Sequence, residues 1–337
     1  MKVVVHAVAL WAVVSALSGC VTYKPEPPVT SLTGVEMGKV YFTSSSPYDF
    51  DATVKRTAQP LTIHGTLLMP EQVSGRVPAV VISHSSGGIT EYREFHYARE
   101  LNAMGVAAFV VDSFLPREVS STLYKQIDVT EQMMIADAYA ALNLLSTDPR
   151  IDPERIGVLG FSKGGVVAFY SAFEKIHSWY EAKGLKFAAH AAFYPFCGIR
   201  MEDPHMTGAP VMLFLGEKDD YTPPELCRGY VTELNGHGNF IETHVYPEAH
   251  HAWDGQGKVS LRTAIINPSK CRMEVLNEGR TIDSNTGEGI STRGDRIDAL
   301  RECADMGVHV GQNENAKAQS MSDLKGFFLK HLVGTRG

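Results

Sequence analysis

The chain runs to 337 residues, with 31 basic and 38 acidic side chains, a formal charge of −7 and 44% hydrophobic content. That length and composition allow one large globular domain with a deep core. A mildly acidic chain without basic runs argues against nucleic acid as a partner, and no internal repeat stands out.

The first segment reads as a leader. Met1-Lys2 precedes an uncharged, largely apolar stretch from Val3 to Leu17, then Leu17-Ser18-Gly19-Cys20. One positive charge, a short hydrophobic core and small residues fit a secretory signal peptide over residues 1–19, and the stretch is short for a membrane span. Its end resembles a bacterial lipobox, which implies that Cys20 becomes the first residue of the mature chain and carries lipid. Val21 stands where an aspartate would favour the inner membrane, so the expectation is a lipoprotein of the cell envelope, on the outer membrane facing the periplasm. An ordinary cleaved signal followed by a chance cysteine is the alternative. Removing residues 1–19 takes away one lysine and leaves 30 basic against 38 acidic residues, a charge of −8. Val21 to about Gly34 holds Pro25, Pro27 and Pro28 and reads as an extended tether. Residues 35–337 read as a single domain with a polar insertion at about 254–310.

Strands and helices then alternate. Leu61 to Met69 alternates as an edge or antiparallel strand does, and Val77 to Ser83 is a continuous apolar run suited to a buried parallel strand. Helical spacing from Tyr92 to Met104 ends at Gly105. Val106–Val111 is the next strand and Thr130–Leu145 the next helix. Arg155–Leu159, Lys186–Tyr194, Val211–Leu215 and Ile241–Tyr246 read as strands, with a helix at Pro223–Leu234 and a final one near Ala316–Leu332. This order predicts an α/β fold, a mostly parallel central sheet with helices on both faces, whose chemistry lies beyond the carboxyl ends of the strands.

The motifs fall at those ends. Gly160-Phe161-Ser162-Lys163-Gly164 joins a strand to an apolar helix starting near Val166. Glycines at 160 and 164 suit a sharp elbow that leaves no room for side chains, with the Ser162 hydroxyl lifted clear as a nucleophile. After the strand at 77–83 comes His84-Ser85-Ser86-Gly87-Gly88, a small loop able to aim backbone N–H groups at an oxyanion. The N–H groups of Ser86 and Lys163 are the expected pair, and the Lys163 side chain is expected to be solvated. His84 is read as a hydrogen-bonder on the substrate side of this loop, orienting it rather than catalysing. Gly216-Glu217-Lys218-Asp219-Asp220-Tyr221-Thr222-Pro223 offers Asp219 as the acid that orients a histidine, with Asp220 as the alternative. Tyr246-Pro247-Glu248-Ala249-His250-His251 offers His251 as the base, with His250 as its structural neighbour. Adjacent side chains diverge and no third ligand is evident, so no metal is expected.

Four cysteines follow Cys20. Export to an oxidising compartment and the absence of CxxC spacing favour disulfides, proposed as Cys197–Cys227 and Cys271–Cys303 among three pairings, with free thiols as the alternative.

The runs Asp152–Ser162, Phe193–Cys197, Gly216–Pro223 and Tyr246–Asp254 together resemble the dienelactone hydrolase family, over about Gly65 to Trp253. The resemblance implies an α/β-hydrolase fold, a triad of Ser162, Asp219 and His251, and no cofactor. Val111–Arg117 is similar to a family loop beside the active site, which implies that Arg117 contacts an acidic group of the substrate. The family nucleophile is a cysteine, and Ser162 in its place favours a more general ester than a dienelactone. The reading is a serine hydrolase that cleaves a small carboxylic ester or lactone through an acyl-enzyme. A non-catalytic envelope lipoprotein using the fold as a binding module is the alternative, and a peptidase a third. The polar insertion either overhangs the pocket as a lid or is a surface excursion.

Overall fold

The continuous apolar runs become the middle of the sheet, because a strand covered by helices on both faces can expose no polar side. The computed structural model describes residues 23–72, 75–181 and 184–334. The leader and Cys20 lie outside these residues. In chain order the strands are β1 (Gly38–Ser45), β2 (Pro60–Leu68), β3 (Val77–Ser83), β4 (Ala107–Asp112), β5 (Ile151–Phe161), β6 (His190–Phe193), β7 (Ile199–Met201), β8 (Val211–Gly216) and β9 (Ile241–Tyr246). All but β7 form one eight-stranded sheet in the order β1-β2-β4-β3-β5-β6-β8-β9. The segment from β4 to β9 is parallel, and β1 and β2 add antiparallel at one edge.

The helices are α1 (Phe50–Val54), α2 (Glu94–Ala103), α3 (Glu131–Leu145), α4 (Lys163–Tyr170), α5 (Glu174–Tyr180), α6 (Pro224–Gly236), α7 (Arg293–Cys303) and α8 (Glu314–Phe328). Alternation along β3 sends Ala79 and Val81 to one face, against α3, α4 and α6, and Val80 and Ile82 to the other, against α2 and α8. Crossovers place every βα loop from β3 onward at one rim. The site assembles there.

One expectation changes. Residues 23–34 do not stand off as a tether. The Val29 N–H donates to the Tyr41 carbonyl at 2.8 Å, the Leu32 N–H to the Thr147 hydroxyl at 2.8 Å, and Leu32 is fully buried. Its apolar residues lay the segment along the body despite the prolines. The polar insertion, to which the sequence reading assigned no strand or helix, carries β10 (Ser260–Asn267), β11 (Met273–Val275), β12 (Thr281–Asp283), α7 and β13 (Asp305–Val310). β10 pairs with β13, while β11 lies between β12 and β7, extending the body's backbone ladder into the insertion. A capping box between Thr292 and Asp295 starts α7, which explains how so polar a helix forms.

Both disulfides form as paired from sequence. Cys197–Cys227 ties the loop after β6 to α6, and Cys271–Cys303 ties the approach to β11 to the last residue of α7, each with Cα atoms 4.9 Å apart. Among the described residues no helix is long and apolar enough to cross a membrane.

Candidate active site

A single residue, Ser162, separates β5 from α4, and it sits at φ 54°, ψ −111°. That is strained backbone for an L residue and is held only because the surroundings allow no other path. A Cβ on Gly160 would fall 1.8 Å from the Gly164 carbonyl oxygen, so the elbow closes only over glycine. The turn delivers the Ser162 hydroxyl above the sheet at the start of α4, where helix N–H groups lack helical partners.

Asp219 follows β8 and His251 follows β9, and the structure brings both to the elbow. The Ser162 hydroxyl donates to His251 Nε2 at 2.9 Å, and His251 Nδ1–H donates to Asp219 Oδ2 at 2.8 Å. Asp219 also accepts from the backbone N–H of Tyr221 and Thr222 at 2.9 and 2.8 Å, and from the Thr222 hydroxyl at 2.9 Å. Four donors fix this carboxylate. The His251 ring meets Tyr194 and Tyr221 in edge contacts, both centroids 4.7 Å away, and all three residues of the relay are buried. The alternatives stay outside it. Asp220 accepts from His309 Nδ1 at 2.6 Å, and His250 packs towards His309 with ring centroids 5.8 Å apart.

Ser86 and Lys163 both border Ser162, and among the described residues no acceptor takes either backbone N–H. The loop carrying Ser86 is fixed through Ser85, whose hydroxyl oxygen accepts from the Gly87 N–H at 3.1 Å and from Arg93 Nη2 at 2.6 Å. His84 is fully buried, donating from Nδ1 to the Ser85 carbonyl at 2.8 Å and accepting the Ser113 N–H on Nε2 at 3.2 Å. Burial pushes its pKa below the ordinary histidine value, against the pull of the Ser85 hydrogen bond. His84 therefore orients the loop and does not line the substrate site.

Two further expectations are corrected. Arg117 spends its guanidinium on Asp137 at 2.7 and 3.0 Å, the carbonyls of Ser113 and Ser45 and the Ser46 hydroxyl. With those donors committed at the β1 edge, it borders neither recess at Ser162. The Lys163 side chain is not solvated. It is buried, donating to Glu131 Oε1 at 2.9 Å and to the carbonyls of Val129 and Gln126 at 2.9 and 3.1 Å. Burial pushes its pKa down while Glu131 pulls it up, with a net fall. Burial would raise Glu131, but Lys163 and Arg296 together hold it well below the usual carboxylate range.

Two recesses meet at Ser162. One, of about 70 Å³, lies between α4 and the insertion and is walled by Phe196, Ile199, Met273, Ile290 and Leu300. The other, of about 290 Å³, is more polar and is bordered by His251, Arg93, Lys258 and Arg262. The insertion overhangs the site rather than leaving it. Sequence reading passed over Thr222 and Tyr221, which lie inside the quoted Gly216–Pro223 run, and Tyr194, whose φ of 39° turns it towards His251. It also missed the Glu131–Lys163–Arg296 cluster, whose members are 165 residues apart at the extremes and carry no shared local pattern.

A strained nucleophile elbow between strand and helix, with acid and histidine after later parallel strands, defines an α/β-hydrolase fold. The family model described as "Dienelactone hydrolase family" matches residues 63–264, and the chain belongs to that family. It is 25% identical over 189 residues to "Probable 2-oxo-3-(5-oxofuran-2-ylidene)propanoate lactonase" of a Bradyrhizobium species, covering 54% of this chain and 75% of that one. It is 28% identical over 123 residues to "Putative hydrolase YtaP" of Bacillus subtilis, and there it spans only 41% of the relative's length. Among solved structures, Thermogutta terrifontis esterase 2 phosphoramylated by tabun aligns with a TM-score of 0.53 at 15% identity, over 88% of this chain and 96% of that one. The dienelactone hydrolase-like promiscuous phosphotriesterase P91 from metagenomic libraries gives 0.50 at 15%, over 87% and 99%. At such identities the likeness is one of fold.

Proposed function

We propose that this protein hydrolyses a carboxylic ester or lactone through an acyl-enzyme on Ser162. The observation that carries the reading is the unbroken relay from Asp219 through His251 to the Ser162 hydroxyl, 2.8 and 2.9 Å per step. Family membership and the lactonase named among the relatives support it. His251 takes the Ser162 proton as the oxygen attacks the carbonyl carbon, and Asp219 holds the imidazole tautomer and stabilises its cation. The N–H groups of Ser86 and Lys163 hold the oxyanion, each worth about 3–4 kcal/mol of barrier in comparable sites. As the tetrahedral intermediate collapses, His251 returns the proton to the leaving alcohol. Water, activated by the same histidine, then releases the acid and regenerates Ser162.

Labelling with a fluorophosphonate probe, followed by turnover of nitrophenyl esters, tests this. Wild type should label and turn over while Ser162→Ala does neither; folded wild type inert to both refutes the reading.

The leader and the two disulfides support a second assignment, a periplasm-facing lipoprotein anchored to the outer membrane at Cys20. Membrane fractionation of wild type and Cys20→Ser tests it, and equal solubility of the two would refute it.

A further inference from the structure

The two recesses at Ser162 differ in one respect that orients the substrate. His251, which must hand a proton to the leaving alcohol, borders the larger polar recess and not the smaller one. The alcohol therefore leaves through the larger recess, and the acyl group occupies the smaller. That cavity is apolar along Val166, Phe196, Ile199, Met273, Ile290 and Leu300, and its 70 Å³ has room for a short chain of roughly five non-hydrogen atoms, judged by the space one buried water takes.

One polar group buried behind its wall is unspent. Arg296, on α7, borders the cavity and is more than nine-tenths buried. Its Nη1 donates to Glu131 Oε2 at 2.8 Å and its Nη2 to Gln132 Oε1 at 3.2 Å, while Nε–H has no acceptor among the described residues. A buried donor without a partner costs free energy, and an acyl chain that brings an oxygen to it recovers that cost. The other charged groups of the wall are committed. Lys163 and Glu131 pair with each other, and Asp283 accepts two backbone N–H groups. With two cations and two carboxylates in the wall the lining is close to neutral, which suits an uncharged acceptor better than a second buried carboxylate.

We propose that the insertion builds an acyl-recognition pocket, and that Arg296 Nε selects short acyl groups carrying an uncharged acceptor oxygen, such as a ketone, near their far end. The family match ends at residue 264, so Arg296 and about half of this wall, with Met273, Ile290 and Leu300, lie beyond it. The inference rests on the ester-hydrolase reading above and extends it to the substrate class.

The test compares nitrophenyl esters of 4-oxopentanoate, 5-oxohexanoate and 6-oxoheptanoate with their carbon isosteres, in which the ketone oxygen is replaced by methyl, and with plain butanoate. At the length that reaches Arg296, wild type should favour the oxo ester about tenfold in kcat/KM, the effect of one hydrogen bond to an otherwise unpaired charged donor. Arg296→Lys keeps a cation beside Glu131 and removes Nε, so the ratio should fall to near one. Leu300→Trp, which fills the cavity, should remove the oxo preference without altering Arg296. Equal wild-type rates for oxo ester and isostere at every length overturn the proposal. So does a preference that survives in Arg296→Lys, or a stronger preference for the hemiester of a dicarboxylic acid. Butanoate separates the two levels. Turnover of butanoate without oxo preference refutes the pocket alone, whereas no turnover of any ester refutes the hydrolase reading.

Discussion

The carbonyl oxygen of Ser83 stands 2.1 Å from the point where a Cβ on Gly164 would lie. The end of β3 thus runs directly beneath the first turn of α4, and both partners are backbone, so neither can swing aside. Gly164→Ala should cost more than about 4 kcal/mol, in the range reserved for gross steric failure, and should yield little soluble protein. Denaturant unfolding of whatever folds would measure it; a loss under about 1 kcal/mol would mean that α4 can shift.

The acid and base assignments separate by mutation. Asp219→Asn should lower kcat about 10⁴-fold, because an amide cannot hold the same imidazole tautomer or stabilise its cation. His251→Ala should do at least as much. Asp220→Asn breaks only a half-exposed pair with His309 and should cost no more than about 1 kcal/mol of stability. Steady-state kinetics on one nitrophenyl ester decide between them, and a dead Asp220 or His250 variant would reverse the assignment.

Cys271–Cys303 closes a loop of 32 residues that includes β11, β12 and most of α7. In the chain-entropy account this contributes about 3–4 kcal/mol, so the Cys271→Ser, Cys303→Ser double variant should unfold at lower denaturant. Both cysteines border the acyl cavity, and discrimination between short and long acyl esters should weaken in the same variant. Kinetics across an ester series would show it.

Acid should weaken the fold before it reaches the carboxylates. Burial pushes His190 down to about 4 from the ordinary value of 6.5. The unfolded chain takes up a proton below pH 6.5 that the native state refuses until about pH 4. Stability from this group is therefore complete above pH 6.5, falls as pH drops through that window, and then levels off, a loss of about 3 kcal/mol. His84 is shifted in the same direction and adds to the slope. His190→Asn keeps a donor for the Ala168 carbonyl, which Nδ1 reaches at 2.9 Å, without the titration. Urea midpoints from pH 7.5 to 4 should fall less steeply in that variant.

Much of the catalytic rim is legible locally. Val77–Ser83 and Ile241–Tyr246 coincide with their strands because a fully apolar run, or a run between turn residues, has no competing reading. Ser162, Asp219 and His251, which the structure brings within hydrogen-bond reach of one another, could be picked out as candidates because each follows a strand in a turn whose residue types are constrained. Arg117 was misplaced because a motif carries a position and not a partner. Asp137, which claims its guanidinium, lies on the buried face of α3 and looks from sequence like any helical acid. The insertion was illegible for another reason. Its strands are three to eight residues long and mostly pair with distant segments, so local periodicity says little about them.

The charge cluster under the elbow bears on how such an enzyme can change over generations. Glu131 and Lys163 both sit on helices of the family body and neutralise each other across 2.9 Å, whereas Arg296 arrives from the insertion. An ancestor without residues 270–303 would still have a matched pair beneath its nucleophile, with no stranded ion to destabilise it. The insertion thus adds its cation to a pair that is already matched without it.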